Sequence, residues 1–142
     1  MNEFIKILNL IKADFYEWAE WLKVLKNFNG MIKLILHYSE YRCLVCYRFE
    51  YRKSILTKIA KRIISIMKPT SHNQYFCNEN IGAGLRIIHG FSTIINAKSI
   101  GKHCIISQQV MIGRPQSGLP TIGGYCKVYA GAKLLGAGKN WR

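Results

Sequence analysis

The chain has 142 residues, 49% of them hydrophobic, which is enough for a modest core and excludes wholesale disorder. Lys and Arg number 21 against 7 acids, a formal charge of +14. Residues 1–72 hold 13 bases and 6 acids, and residues 73–142 hold 8 bases and one acid, Glu79, so the charge is no terminal tail. It attracts polyanions, but neither a zinc-finger spacing nor an aromatic RNA-binding signature accompanies it, so no nucleic-acid partner is expected. A membrane surface rests on charge alone, and the basic residues are read as a solvated face.

Residues 1–72 read as helix. Phe4, Leu8, Ile11, Phe15, Trp18, Leu22 and Leu25 recur at steps of four and three, one apolar face with Lys6, Lys12, Glu17, Glu20 and Lys23 off it. Asn27, Asn29 and Gly30 supply a stop, because Asn and Gly tolerate the left-handed cap. A second segment spans residues 31–52. A third, around 55–67, places Ile55, Ile59, Ile63 and Ile66 on one side and Lys58, Lys61 and Arg62 on the other flank, and ends at Pro69.

No run reaches the roughly 18 apolar residues of a membrane span. The start of the chain, with Glu3 and Asp14 and no cleavage site, does not read as a signal peptide. Five cysteines, an odd number, then imply free thiols and a cytoplasmic location. Cys43 and Cys46 form a CxxC without two further ligands, so no metal is expected, and the pair reads as two small buried residues on one helix face.

Beyond Asn80 the period changes. Ile81, Ile87, Ile94, Ile100, Ile106, Ile112, Ile122, Val128 and Leu134 follow one another mostly at six. One step is seven, just after His89, and one is ten, across the stretch holding Pro115 and Leu119. Gly follows the aliphatic residue at Gly82, Gly101, Gly113 and Gly123. Six fits neither a helix nor an alternating strand, but it fits a β-helix in which each hexapeptide is a short strand and a corner. Gly suits the corner through its backbone freedom. Three sides make a coil, so the rungs build about three coils, with the ten-residue step as an extruded loop. The expected fold is α+β: an N-terminal helical region, 1–72, then a hexapeptide-repeat domain, 73–142.

IGAGLRIIHG (81–90), TIINAKSIGKHCIISQQVMIG (93–113) and PTIGGYCKVYAGAKLLG (120–136) resemble, in that order, the serine acetyltransferases and their relatives in surface-polysaccharide biosynthesis. The resemblance implies a left-handed parallel β-helix, a homotrimer or dimer of trimers, and acetyl transfer from acetyl-CoA, a cofactor whose acidity suits the basic chain, to serine or a sugar hydroxyl.

An alcohol is a poor nucleophile until its proton leaves, so the reaction needs a base. His89 matches the family's catalytic histidine, and the irregular step beside it suits an outward-aimed side chain. Gln74 stands where the family has a carboxylate that orients the imidazole; an amide can hold the ring but cannot balance imidazolium with a full charge. Ile88 and Leu119 replace an Asp and a His that contact serine in the family. Gly113, Ala130, Gly131, Ala132 and Lys133 match the segments along which the pantetheine arm runs, with Tyr129 in place of a Gly. The family continues by at least one coil beyond the AGAK segment, so the expectation for this chain is a C-terminally truncated form with weaker acetyl-CoA binding. The alternative is a non-catalytic remnant acting as an assembly module.

Overall fold

The first helix, α1 (Glu3–Trp21), buries Ile7, Ile11, Phe15, Trp18 and Ala19 in the computed structural model. The model describes residues 3–50, 55–67, 74–77, 80–113 and 118–137. Pro69, His72, Glu79, the 114–117 stretch and the tail from 138 lie outside these. The buried face is rotated from the expected stripe, leaving Leu8 and Leu25 exposed. The helix also stops earlier than Asn27. Val24 N–H donates to the Ala19 carbonyl (2.8 Å) and Lys23 N–H to Glu20 (3.3 Å), with Lys23 left-handed at φ 53°. This is the Schellman pattern, closed without a glycine.

Asn27 begins a helix instead of ending one. Its side chain accepts from Gly30 N–H at 2.9 Å and caps α2 (Phe28–His37). Gly30 lies inside that helix, and a Cβ there would strike the Leu25 carbonyl. The single segment expected over 31–52 is two helices, because Tyr38 turns extended between α2 and α3 (Ser39–Glu50). Helix α3 is the centre of the bundle: every residue from Tyr41 to Phe49 is buried. Two arginines are therefore buried with it. Arg48 grips Asp14 of α1 through two bonds, Nε–Oδ2 2.8 Å and Nη2–Oδ1 3.1 Å, both side chains at most 2% exposed. Arg42 Nη1 donates to the Ile35 carbonyl. Helix α4 (Ile55–Met67) packs on α3 through the fully buried Thr57, and its isoleucine stripe faces outward.

Two compact units divide the chain, residues 1–71 and 72–142. Among its described residues the second contains nine short strands: β1 (Gln74–Phe76), β2 (Arg86–Ile88), β3 (Thr93–Ile95), β4 (Ser99–Ile100), β5 (Ile105–Ser107), β6 (Met111–Gly113), β7 (Thr121–Ile122), β8 (Lys127–Val128) and β9 (Lys133–Leu135). They form three parallel sheets, β1-β3-β6-β9, β2-β5-β8 and β4-β7, with Ile81 bridged to Ile100. Consecutive strands never pair; each pairs with its counterpart one coil away. That is the topology of a three-sided β-helix of three coils preceded by β1, and it is compatible with the left-handed form.

Aliphatic columns run up the interior: Ile81–Ile100–Ile122, Ile87–Ile106–Val128 and Ile95–Ile112–Leu134. All but the half-buried Leu134 are at most 7% exposed. One rung differs from expectation. Ile95 points inward at 2% exposure and Ile94 outward at 37%. The step after Ile87 is thus eight residues followed by five, where the sequence suggested seven and six. Coil 1 takes His89, Gly90, Phe91 and Ser92 around the corner where coil 2 takes only Gln108 and Gln109, since Ile94 pairs with Met111.

Glycines after the rungs also act differently from expectation. Gly82 and Gly101 are not left-handed. A Cβ on Gly82 would lie 2.7 Å from the Gly101 carbonyl carbon, and one on Gly101 would strike the Gly124 backbone. These residues let neighbouring coils close on each other.

Two stability outcomes follow. Asp14→Asn leaves the Arg48 charge buried and should cost about 3–5 kcal/mol in denaturant unfolding followed by Trp fluorescence, while Asp14→Leu combined with Arg48→Met should recover most of it. Gly101→Ala should cost roughly 1–3 kcal/mol by overpacking against rigid backbone, whereas Gly113→Ala, whose Cβ meets nothing within 4 Å, should melt close to wild type by circular dichroism.

Candidate functional site

The enlarged corner between β2 and β3 carries an exposed histidine. His89 follows the half-buried Ile88, sits at φ 48° and is solvent-exposed. A left-handed backbone is uncommon for a residue with a Cβ, though histidine is among those enriched there. Its carbonyl accepts from Phe91 N–H at 2.7 Å, and Ser92 is again left-handed at φ 53°. The two left-handed residues, three positions apart, bracket the corner, and the imidazole is exposed on it.

Gln74 lies directly behind this corner. A Cβ on Gly90 would collide with the Gln74 amide and with Ile87 Cγ2, so glycine next to His89 is what makes room for the amide. Gln74 begins the inward column Gln74–Thr93–Val110, is 8% exposed, and neither its Oε1 nor its Nε2 has a hydrogen-bond partner. A buried polar group without a partner costs about 1–3 kcal/mol. The structure brings Gln74 beside the residue after His89 but does not join it to the ring. Thr93, by contrast, donates from its hydroxyl toward the Phe91 and Ser107 carbonyls at 3.3 and 3.4 Å.

The same edge continues upward. Gln108 and Gln109 form it in coil 2, and Ala130 and Gly131 form it in coil 3, where Gly131 N–H donates to the Gln108 carbonyl at 3.1 Å. Coils are spaced about 4.8 Å apart, so Gly131 stands about 10 Å above His89 along the edge. Ala130, Gly131 and Lys133 are exposed and Ala132 half-buried. Gly131 is left-handed at φ 76° and a Cβ there would meet open space. An imidazole and a small-residue corner therefore share one open edge.

Gly113 and Leu119 are elsewhere. Gly113 ends β6 and pairs with Leu135, at the opposite end of the strand pair from the Ala130–Gly131 corner. Leu119, half-buried, precedes Pro120 at the entry to β7. Within one chain Ile88 and Leu119 are on different edges and do not converge. Phe91, 47% exposed, and Tyr129, 73% exposed, stand on the His89 edge and were not singled out as site residues from the sequence. His103 stacks on Tyr125 with centroids 5.1 Å apart and planes 18° apart. These two are one coil apart, a relation hidden by the ten-residue step between them.

The cysteines contribute no exposed cluster. Cys43 and Cys46 are buried in α3; burial pushes the Cys43 thiol up to about 12, with Cys46 and Glu40 adding to it, and burial raises Cys46 as well. Cys104 is buried, raised by the same cause, and bonds the Gly123 carbonyl at 3.2 Å. Among the described residues no group of three His, Cys, Asp or Glu is placed to hold a metal ion. Cys77 alone among the cysteines is exposed. A thiol far below its pKa is unreactive because only the thiolate attacks. At pH 8 a disulfide reagent should therefore modify Cys77 first, with Cys43 reacting only on unfolding; mass mapping of the labelled peptides checks this.

Helical unit and parallel β-helix together define the class of fold, and a solved structure shares it. No protein-family model and no curated protein matches the sequence. The chain is similar in structure to the serine acetyltransferase of Neisseria gonorrhoeae, solved in complex with serine, at a TM-score of 0.61 and 18% identity. The match covers 95% of this chain and 57% of that one, so the chain spans little more than half the length of the protein it resembles. The architecture expected from the motifs, N-terminal helices followed by short parallel strands, is the architecture found.

Proposed function

We propose that the protein is an acetyl-CoA-dependent O-acetyltransferase with His89 as general base. The observation that carries the reading is the shared edge: an exposed imidazole on an enlarged left-handed corner, with the open Ala130–Gly131 corner about 10 Å above it. An extended pantetheine chain is long enough to run down that edge. Gly131 presents no side chain to obstruct it, and Lys133 adds a positive charge suited to a phosphate-rich ligand. In the reaction His89 takes the proton of the acceptor hydroxyl. The freed oxygen attacks the thioester carbonyl, the carbon–sulfur bond breaks, and the imidazolium returns its proton to the departing thiolate.

The acceptor is serine or a sugar hydroxyl. Ile88 and Leu119 offer no charge to an amino acid's amino or carboxyl group, and a sugar makes no such demand. Gln74, positioned behind Gly90 with its amide unpaired, is available to bond the ring once the corner adjusts to substrate, without supplying countercharge. The protein assembles as a homotrimer or a dimer of trimers in this reading. Its support is the outer ladder Tyr75–Ile94–Met111 of the four-stranded sheet, all at least 37% exposed and apolar enough to suit contact between copies. Sedimentation velocity reads the assembly, and a strictly monomeric chain overturns that part.

A second reading, a non-catalytic assembly module, is favoured by one observation: Gln74, which stands where the resemblance expects a carboxylate, makes no hydrogen bond to His89. Release of free thiol from acetyl-CoA with serine and with glycan acceptors separates the two. Turnover with either acceptor is expected, and His89→Ala should remove nearly all of it, about a hundredfold or more. Full activity in that variant would falsify the base assignment, and no turnover by the folded wild type with any acceptor leaves the module reading.

A further inference from the structure

Helix α4 is built the wrong way round for a helix whose apolar stripe seals a core. Its packed side is Thr57, fully buried, flanked by the half-buried Ala60 and Ile64. Its solvent side is Ile55 (68% exposed), Ile59 (50%), Ile63 (55%) and Ile66 (70%), joined by Leu56. Steps of four, four and three keep the four isoleucines on one stripe. Lys58 and Arg62, both exposed, run along one border of that stripe, and neither is ion-paired to a described residue.

The apolar surface does not stop at the helix. Ile63 also lines a groove of about 820 Å³ within the helical unit, together with Leu8, Phe15, Tyr16, Phe28 and Met31. Phe28 is 70% exposed, and Lys12 stands exposed at the groove's rim. Contiguous exposed apolar surface of this kind marks a place where something docks.

Charge selects the occupant. Pairing this face with a second copy would bring two sets of Lys58 and Arg62 together on a chain already at +14, and no unpaired acid on α4 answers them. An anionic bilayer answers both features at once: phosphates neutralise the cations while the isoleucines enter the acyl boundary. The chain has no helix among its described residues long and apolar enough to cross a membrane, so the contact is one that lies on the surface. We infer that the exposed Ile55–Ile59–Ile63–Ile66 face of α4, bordered by Lys58 and Arg62, docks the helical unit onto anionic lipid bilayers. The inference does not depend on the acetyltransferase reading.

Flotation of the full chain with vesicles tests it. The chain should float with vesicles of phosphatidylcholine and phosphatidylglycerol, remain below with phosphatidylcholine alone, and release as salt is raised. Lys58→Ser with Arg62→Ser should weaken binding about twenty-five-fold, at about fivefold per cation near the surface. Ile59→Ser with Ile63→Ser should abolish flotation, and circular dichroism should match wild type because both side chains are at least half exposed. The proposal is overturned if the wild type ignores anionic vesicles, or if the serine pair at Ile59 and Ile63 floats unchanged. It is also overturned if that pair dissolves a lipid-free oligomer whose formation excludes vesicles, which would assign the face to a second copy.

Discussion

Parallel stacking of inward aliphatic rungs is the constraint on which the β-helix unit rests. Ile81, Ile100 and Ile122 must fall in one column, as must Ile87, Ile106 and Val128, because a slip of one residue would turn the whole column outward. The backbone ladders hold the coils about 4.8 Å apart, and at Gly82 and Gly101 even a methyl group would not fit between them. With rungs and spacing both set, any surplus in chain length has to leave at a corner. The corner after Ile88 takes up two extra residues, and one of the residues expelled by that surplus is His89. The exposed imidazole is thus a mechanical consequence of the register.

Polar groups inside the prism obey the same geometry with different success. Thr93 and Cys104 occupy inward columns and bond corner carbonyls nearby. Gln74 occupies the first position of such a column with both amide atoms buried and without a hydrogen-bond partner. In the helical unit the equivalent problem is solved by pairing. Burying all of α3 from Tyr41 to Phe49 takes Arg48 out of water, and the Asp14 carboxylate accepts from its Nε and Nη2. The phenol of Tyr41 is driven up first by burial and then by that same carboxylate. Desolvation is tolerable where a partner is supplied and remains a cost where none is.

Much of this was legible in the residues. The period of six announced a β-helix, and seven of the nine expected rungs are buried. Trp18 and Phe15 were rightly placed on the core face of the first helix. The errors have a common form. Ile94 for Ile95, Leu8 and Leu25 for Ile7 and Ala19, and Asn27 as a stop where it is a start were each a choice between neighbours a residue or a few apart. Local pattern leaves such neighbours nearly equal, and the difference is made by what lies across the packing.

The sequence by itself determined the order of the elements, the kind of repeat and the residue types on offer at each corner, because short-range periodicity and backbone preference act within a few residues. Only the tertiary structure decided which isoleucine turns inward after His89, that Gly131 shares an edge with that histidine while Leu119 does not, and that the stripe of α4 faces water. Each of those is a relation between residues tens of positions apart or on separate helices. The physical reason is that burial belongs to a pair of surfaces: a stripe of isoleucines states that a helix has an apolar face, and only the neighbouring helix decides whether that face is covered.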